Sequence, residues 1–76
     1  MVGEGRKVTV GSWVQIRDGQ LEEGWRIVPS AEADVTRRRI AADTPLARAV
    51  LGHQAGERVR VDGPEGRRLI AILSVE

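Results

Sequence analysis

Two carboxylates one residue apart, Glu32 and Asp34, are the first groups in the 76-residue sequence whose spacing invites chemistry. Holding a divalent cation, or running acid–base catalysis, would require further oxygen ligands or a partnered proton acceptor beside them. The neighbouring residues supply neither, so the expected role is to brace a loop by accepting hydrogen bonds from nearby backbone N–H groups. His53 is the only histidine and follows a glycine that ends a short helix, where a cation is mildly favoured. Ser12, Ser30 and Ser74 have no motif around them that would supply a base and an orienting acid. Arg37, Arg38 and Arg39 run consecutively; they can pair bidentately with an acidic surface or serve as a solvated strand edge.

Composition narrows the classes of function further. Twelve basic and eleven acidic side chains leave a net charge of +1, which gives no global attraction to nucleic acid. Two tryptophans are the only aromatic residues, so base stacking has little material and the core must be aliphatic. Without cysteine there is neither a disulfide framework nor a thiolate zinc site, and no metal or cofactor is expected. No apolar run approaches the ~20 residues that span a bilayer, and the N-terminus lacks a signal-peptide core. The expected setting is the reducing cytoplasm, with no membrane partner. A chain of this length buries only about 60–65% of its unfolded surface, which leaves little room for an internal active-site cavity.

These groups must be positioned by few elements. Residues 1–6 are glycine-rich and read as a flexible N-terminus, leaving 7–76 as one domain. From Lys7 to Arg17 the apolar residues Val8, Val10, Val14 and Ile16 alternate, as in a half-buried strand, with Gly11-Ser12 as a break or bulge. Residues 18–24 hold turn residues, and the strand pattern resumes at 25–28, predicting a hairpin with a rather long loop. Trp13 and Trp25 fall on these adjacent strands and are expected to pack as a cross-strand pair. Residues 35–42 read as an edge strand or an extended connection.

Thr44 is a good helix N-cap and Pro45 suits the first helical position, where its missing N–H costs nothing. Leu46, Ala49 and Val50 share a predicted buried face, flanked by Ala47 and Leu51, and Gly52 can turn left-handed after the last turn. A helix of about seven residues depends on packing more than on its own hydrogen bonds. Residues 57–61 alternate again, 62–66 form a turn cluster, and 67–75 are apolar on both sides. In that last strand Leu69, Ala71, Leu73 and Val75 should share one face, with Ile70 and Ile72 on the other. Arg6, Lys7, Arg67 and Arg68 read as surface charges at strand ends. The predicted fold class is α+β: a curled antiparallel β-sheet packed on one short helix.

The stretches VTVGSWVQI, WRIVPSAEAD and IAADTPLARAVLGHQAGERVRVDGPEG, followed by the apolar closing strand, resemble the C-terminal, FK506-binding-protein-like domain of the bacterial GreA/GreB transcription elongation factors. That family shows an EAD segment, kept here as Glu32-Ala33-Asp34, and a Ser-Pro-Leu-Ala-Arg-Ala-Leu-Leu-Gly helix. The helix is kept as Thr44 through Gly52 with threonine for serine, and His53 stands where lysine is common.

The resemblance implies a non-enzymatic module that docks on bacterial RNA polymerase, on a coiled coil of the β′ subunit at the rim of the secondary channel. It places the contact at Asp43, Thr44, Pro45 and Leu46, with Leu46 also a candidate for the core; Arg37, Arg38 and Arg39 are further candidates for pairing with the polymerase. Complete factors carry an N-terminal coiled coil that delivers acidic residues to a catalytic magnesium. Only about six residues precede the first strand here. The expectation is therefore a monomeric module that modulates elongation without cleaving transcripts, with no sequence-specific nucleic-acid contact. A small nucleic-acid-binding β domain and a peptidyl-prolyl isomerase are the alternative readings. The isomerase rests on fold analogy alone and lacks the usual Tyr- and Phe-lined pocket.

Overall fold

Alternation of Val14 and Ile16 with Trp13, Gln15 and Arg17 produces a strand with one apolar face, β1 (Trp13–Asp18). The computed structural model describes residues 6–64 and 66–76, so the flexible segment expected at 1–6 lies outside them except for Arg6. β1 turns through Gly19 and Gln20 into β2 (Leu21–Val28), with Asp18 opposite Leu21. Gly19 takes φ 65°, a left-handed conformation that glycine adopts without a steric penalty, and this makes a two-residue turn possible. The long loop expected at 18–24 is therefore mostly strand, and Arg17 pairs across it with Glu22 at 2.6 Å.

Two single-turn 3₁₀ helices, Ser30–Glu32 and Val35–Arg37, carry the chain back beside β2. Asp34 accepts a hydrogen bond from the Thr36 N–H at 3.1 Å, which is the bracing role its sequence position suggested. β3 (Arg39–Ala41) follows and pairs with β2 in parallel. The sheet is thus mixed, where a wholly antiparallel one was expected. The strand anticipated over 35–42 shrinks to three residues at the sheet edge. Helix α1 (Pro45–Val50) leads to β4 (Arg58–Gly63) and β5 (Gly66–Val75), giving the strand order β3-β2-β1-β5-β4.

The core lies between one face of this sheet and α1. Ile16, Ile27, Ile70, Ile72, Val14 and Val61 are almost wholly buried, as are Ala47 and Val50 from the helix. Leu46, Ala49 and Leu51 pack around the margin, so the helix is rotated from the expected Leu46-centred face toward Ala47 and Val50. Small side chains at the centre let a short helix sit close on the sheet. Val8 is also buried: its N–H donates to the His53 carbonyl at 2.8 Å, and Gly52 N–H donates to its carbonyl at 2.9 Å. Val10 breaks the expected alternation and is 52% exposed, because the chain turns at Gly11 (φ 99°) before β1 begins.

Trp25 stands opposite Val14 and points into the core, whereas Trp13 stands opposite Arg26 on the other face. The expected tryptophan pair does not form, because the register places the two rings on opposite sides of the sheet. β5 also departs from expectation. Its pairing with β1 shifts between Gln15 and Ile16, so that Gln15 faces Ser74 while Ile16 faces Ile72. This bulge turns Val75 inward opposite Val14, away from the face it was expected to share with Leu69, Ala71 and Leu73. Leu69 is left 58% exposed and Leu73 37% exposed.

Candidate protein-docking surface

The start of α1 is held in place by one threonine. Thr44 Oγ1 accepts from the Ala47 N–H at 3.3 Å and donates to the Ala41 carbonyl at 2.9 Å. Its own N–H reaches the same carbonyl at 3.1 Å. These bonds fasten the first helical turn to the end of β3. Asp43 and Pro45 on either side are exposed, while Thr44 and Leu46 are half-buried. Leu46 packs against the core margin, so its larger role is in the fold. Pro45, Arg48 and Ala49 from the helix, with Arg60 and Asp62 from β4, line an open depression beside this corner. It presents a carboxylate, a proline ring and two arginines on a rigid frame.

The three consecutive arginines are not gathered into one surface. Arg37 lies 3.6 Å from the Asp34 carboxylate. Arg38 adopts a left-handed conformation (φ 57°), and its guanidinium carbon stacks 4.0 Å from the centre of the Trp25 ring. Its Nε also donates to the Gly24 carbonyl at 3.2 Å. Arg39 is half-buried in β3. Arg38 is therefore committed to covering Trp25, and of the three only Arg37 is well exposed.

Glu32 is exposed, and the Asp34 carboxylate is already engaged by Thr36 and Arg37. Among the described residues no cluster of three or more His, Asp or Glu side chains is arranged to hold a metal ion. His53 Nδ1 lies 2.9 Å from Glu57 Oε1, and the Gln54 N–H donates to Glu57 Oε2 at 2.6 Å. The bond with His53, followed by that from the Gln54 backbone, holds the Glu57 carboxyl below the usual carboxylate range. This cluster closes the loop after α1. Among the described residues no helix is long and apolar enough to cross a membrane.

Sequence reasoning missed two arrangements. The Arg38–Trp25 stack joins residues thirteen apart and needs an unusual backbone at Arg38, which nothing local announces. The second is the outer face of the sheet, where Arg58 and Arg60 alternate with buried Val59 and Val61. That alternation was visible, but only the valines were read for what they do.

The sequence matches the family described as "Transcription elongation factor, GreA/GreB, C-term" over residues 3–76. It is 42% identical over 76 residues to transcription elongation factor GreA of Bacillus cereus (strain AH187), a match covering 96% of this chain and 48% of that protein. With GreA of Thermotoga neapolitana it shares 39% identity over 74 residues, covering 95% of this chain and 47% of the other. The chain thus spans about half the length of the curated relatives it matches. Among solved structures, a structure of the transcription factor Gfh1 superposes with a TM-score of 0.83 at 30% identity, covering all of this chain and 51% of that one. GreA factor homolog 1 of Thermus thermophilus gives 0.79 at 29% identity, again over the whole chain and 52% of the other. A mixed five-stranded sheet closed by a capped Thr-Pro helix, together with these matches, identifies the chain as a member of the GreA/GreB transcription elongation factor family, corresponding to that family's C-terminal domain.

Proposed function

We propose that this domain docks on bacterial RNA polymerase at the rim of the secondary channel, on the coiled coil of the β′ subunit, and modulates transcription elongation as a monomeric binding module. The domain contributes no transcript-cleavage chemistry of its own: of the paired carboxylates Glu32 and Asp34, the second is spent on Thr36 and Arg37. The supporting observation is the corner at Asp43, Thr44 and Pro45. Thr44 bonds inward to Ala41 and Ala47, and this leaves the Asp43 carboxylate and the Pro45 ring exposed on a frame that does not have to order on binding. Leu46 contributes from the margin of the core, and Arg37, exposed beside Asp34, is the member of the arginine run placed to reach a partner's carboxylate.

Titration of the isolated β′ coiled coil, and of the whole polymerase, tests the reading. Binding at or below tens of micromolar, lost on Asp43→Lys with the fold intact, is the expected result. Absence of binding to both proteins over that range sinks it.

A further inference from the structure

The sheet has a second exposed face, and its residues follow from the registers; it meets the α1 depression only along β4, where Arg60 and Asp62 border both. Across the middle, Arg58, Ala71, Arg17 and Glu22 stand side by side on successive strands. Arg60 stands beside Leu69, Asp62 beside Arg67, and Arg26 beside Trp13. Where Ala71 sits between Arg17 and Arg58, its methyl group is too short to fill the space between two long side chains. Leu69 and Gly19 complete the walls of a shallow depression of about 240 Å³. The bulge opposite Gln15 adds Leu73 and Ser74 at one end of this face.

The charge on this face is one-sided. Arginines outnumber carboxylates on it: Arg17, Arg26, Arg39, Arg58, Arg60 and Arg67 lie there with Glu22, Asp62 and Glu76. Glu22 is used by Arg17 at 2.6 Å and Asp62 by Arg67 at 3.5 Å, while Glu76 stands opposite Trp13, away from Arg58 and Arg60. Arg26 donates to the Gly11 carbonyl at 2.7 Å and lies over the Trp13 ring. Arg58 and Arg60 have no acidic partner among the described residues, and both are exposed. They stand beside Ala71 and Leu69 on the neighbouring strand, Leu69 being the most exposed apolar side chain of the face.

We infer that this face is a second docking surface, centred on the Arg17–Ala71–Arg58 hollow and not on the Asp43–Pro45 corner, that takes an acidic polypeptide segment carrying an apolar side chain between its carboxylates. The carboxylates pair with Arg58, Arg60 and the free side of Arg17, while the apolar side chain covers Leu69 and the hollow over Ala71. Aliphatic groups between the arginines favour a polypeptide over a nucleic acid. A nucleic-acid platform needs open aromatic rings between its cations, and the one ring on this face, Trp13, is covered by Arg26 and seated on Gly24. Such a shallow, charge-rimmed face belongs with weak, salt-sensitive, transient contacts.

Titration of the ¹⁵N-labelled domain separates the possibilities. The probes are a short synthetic peptide of glutamate, leucine and alanine, the same peptide with lysine for glutamate, and single-stranded oligouridylate. The glutamate peptide should shift the amides of Arg17, Arg58, Leu69, Ala71 and Leu73, leaving Thr44 and Pro45's neighbours unmoved, and the lysine peptide should not bind. Arg58→Glu combined with Arg17→Glu should weaken binding at least about tenfold, and Leu69→Ser should do so with every arginine intact. Shifts confined to the α1 corner, no shift up to about 1 mM peptide, or tighter binding of oligouridylate to this same face would each overturn the assignment. Because polymerase binding is read at Asp43 and peptide binding at Arg58, failure of one leaves the other standing.

Discussion

The guanidinium carbon of Arg38 lies over the indole of Trp25, 4.0 Å from its centre, and so covers the ring on the side from which β3 starts. Trp25 is 9% exposed, and its Nε1 is buried with no hydrogen-bond partner among the described residues, so the ring is held by packing and by this cation. Replacing Arg38 by alanine should destabilise the domain by about 1–2 kcal/mol, since a partly desolvated cation–π contact and its stem are lost together. Arg38→Gly loses the same stack but suits the left-handed backbone at φ 57°, so it should be milder than Arg38→Ala by about 1 kcal/mol. Urea denaturation of both variants, followed by tryptophan fluorescence, makes the comparison.

The corner before α1 separates stability from docking. Thr44→Ala removes a helix cap and a tie to Ala41, which should cost about 1 kcal/mol of stability. Asp43→Lys should leave the melting temperature nearly unchanged and weaken polymerase binding by about tenfold or more, because an exposed charge at an interface acts on the partner more than on the fold. Calorimetric melting and a binding titration on each variant check the split.

Neighbours on β5 should behave oppositely. Ile70 is 1% exposed and Leu69 58%. Truncation of Ile70 to alanine leaves a cavity and should cost about 2–5 kcal/mol. Leu69→Ala should stay within about 0.5 kcal/mol of the parent. Equal losses at both positions would mean that the outer face is covered in the folded protein.

Acid should loosen the loop after α1. The Glu57 carboxyl is held below its ordinary value of 4.5, first by His53 and then by the Gln54 backbone. A carboxyl lowered on folding contributes stability that is fully present above its unfolded value and is lost as the pH falls through the folded one. Between neutral pH and about pH 5 the contribution should stay level, then decline in the acid range. The Glu57→Gln variant should show a shallower decline there, and added salt should shrink the difference, because the pair is exposed. Equilibrium unfolding as a function of pH, compared between parent and variant, supplies the check.

Much of this arrangement was legible in the chain. Alternation at Val14 and Ile16, the Thr-Pro start and Gly52 end of the helix, and the turn glycines each reflect a local rule that tertiary structure did not override. What could not be read depended on register. The tryptophans fall on opposite faces only because Val14, not Trp13, stands opposite Trp25. Val75 joins the core only because one extra residue is accommodated opposite the Gln15–Ile16 step. The direction of β3 is set by how two short 3₁₀ turns return the chain, and a three-residue strand carries no sign of its direction. The proposed docking corner was marked by its own residues, whereas the arginine run divided once Arg38 took the left-handed conformation.

The order β3-β2-β1-β5-β4 also bears on how the domain is made. β5 follows every other element in the chain yet lies in the interior of the sheet, between β1 and β4. Until it emerges during synthesis, β1 has an unpaired edge and β4 has no neighbour in the sheet, so the elements before β5 can form the β1–β2 hairpin but not the sheet that supports α1. Pairing of β1 with β5 closes a loop of about fifty residues, which is a slow, non-local step. A ribosome that stalls before β5 would therefore expose a sticky strand edge, and chaperone contact with the nascent domain should concentrate on β1.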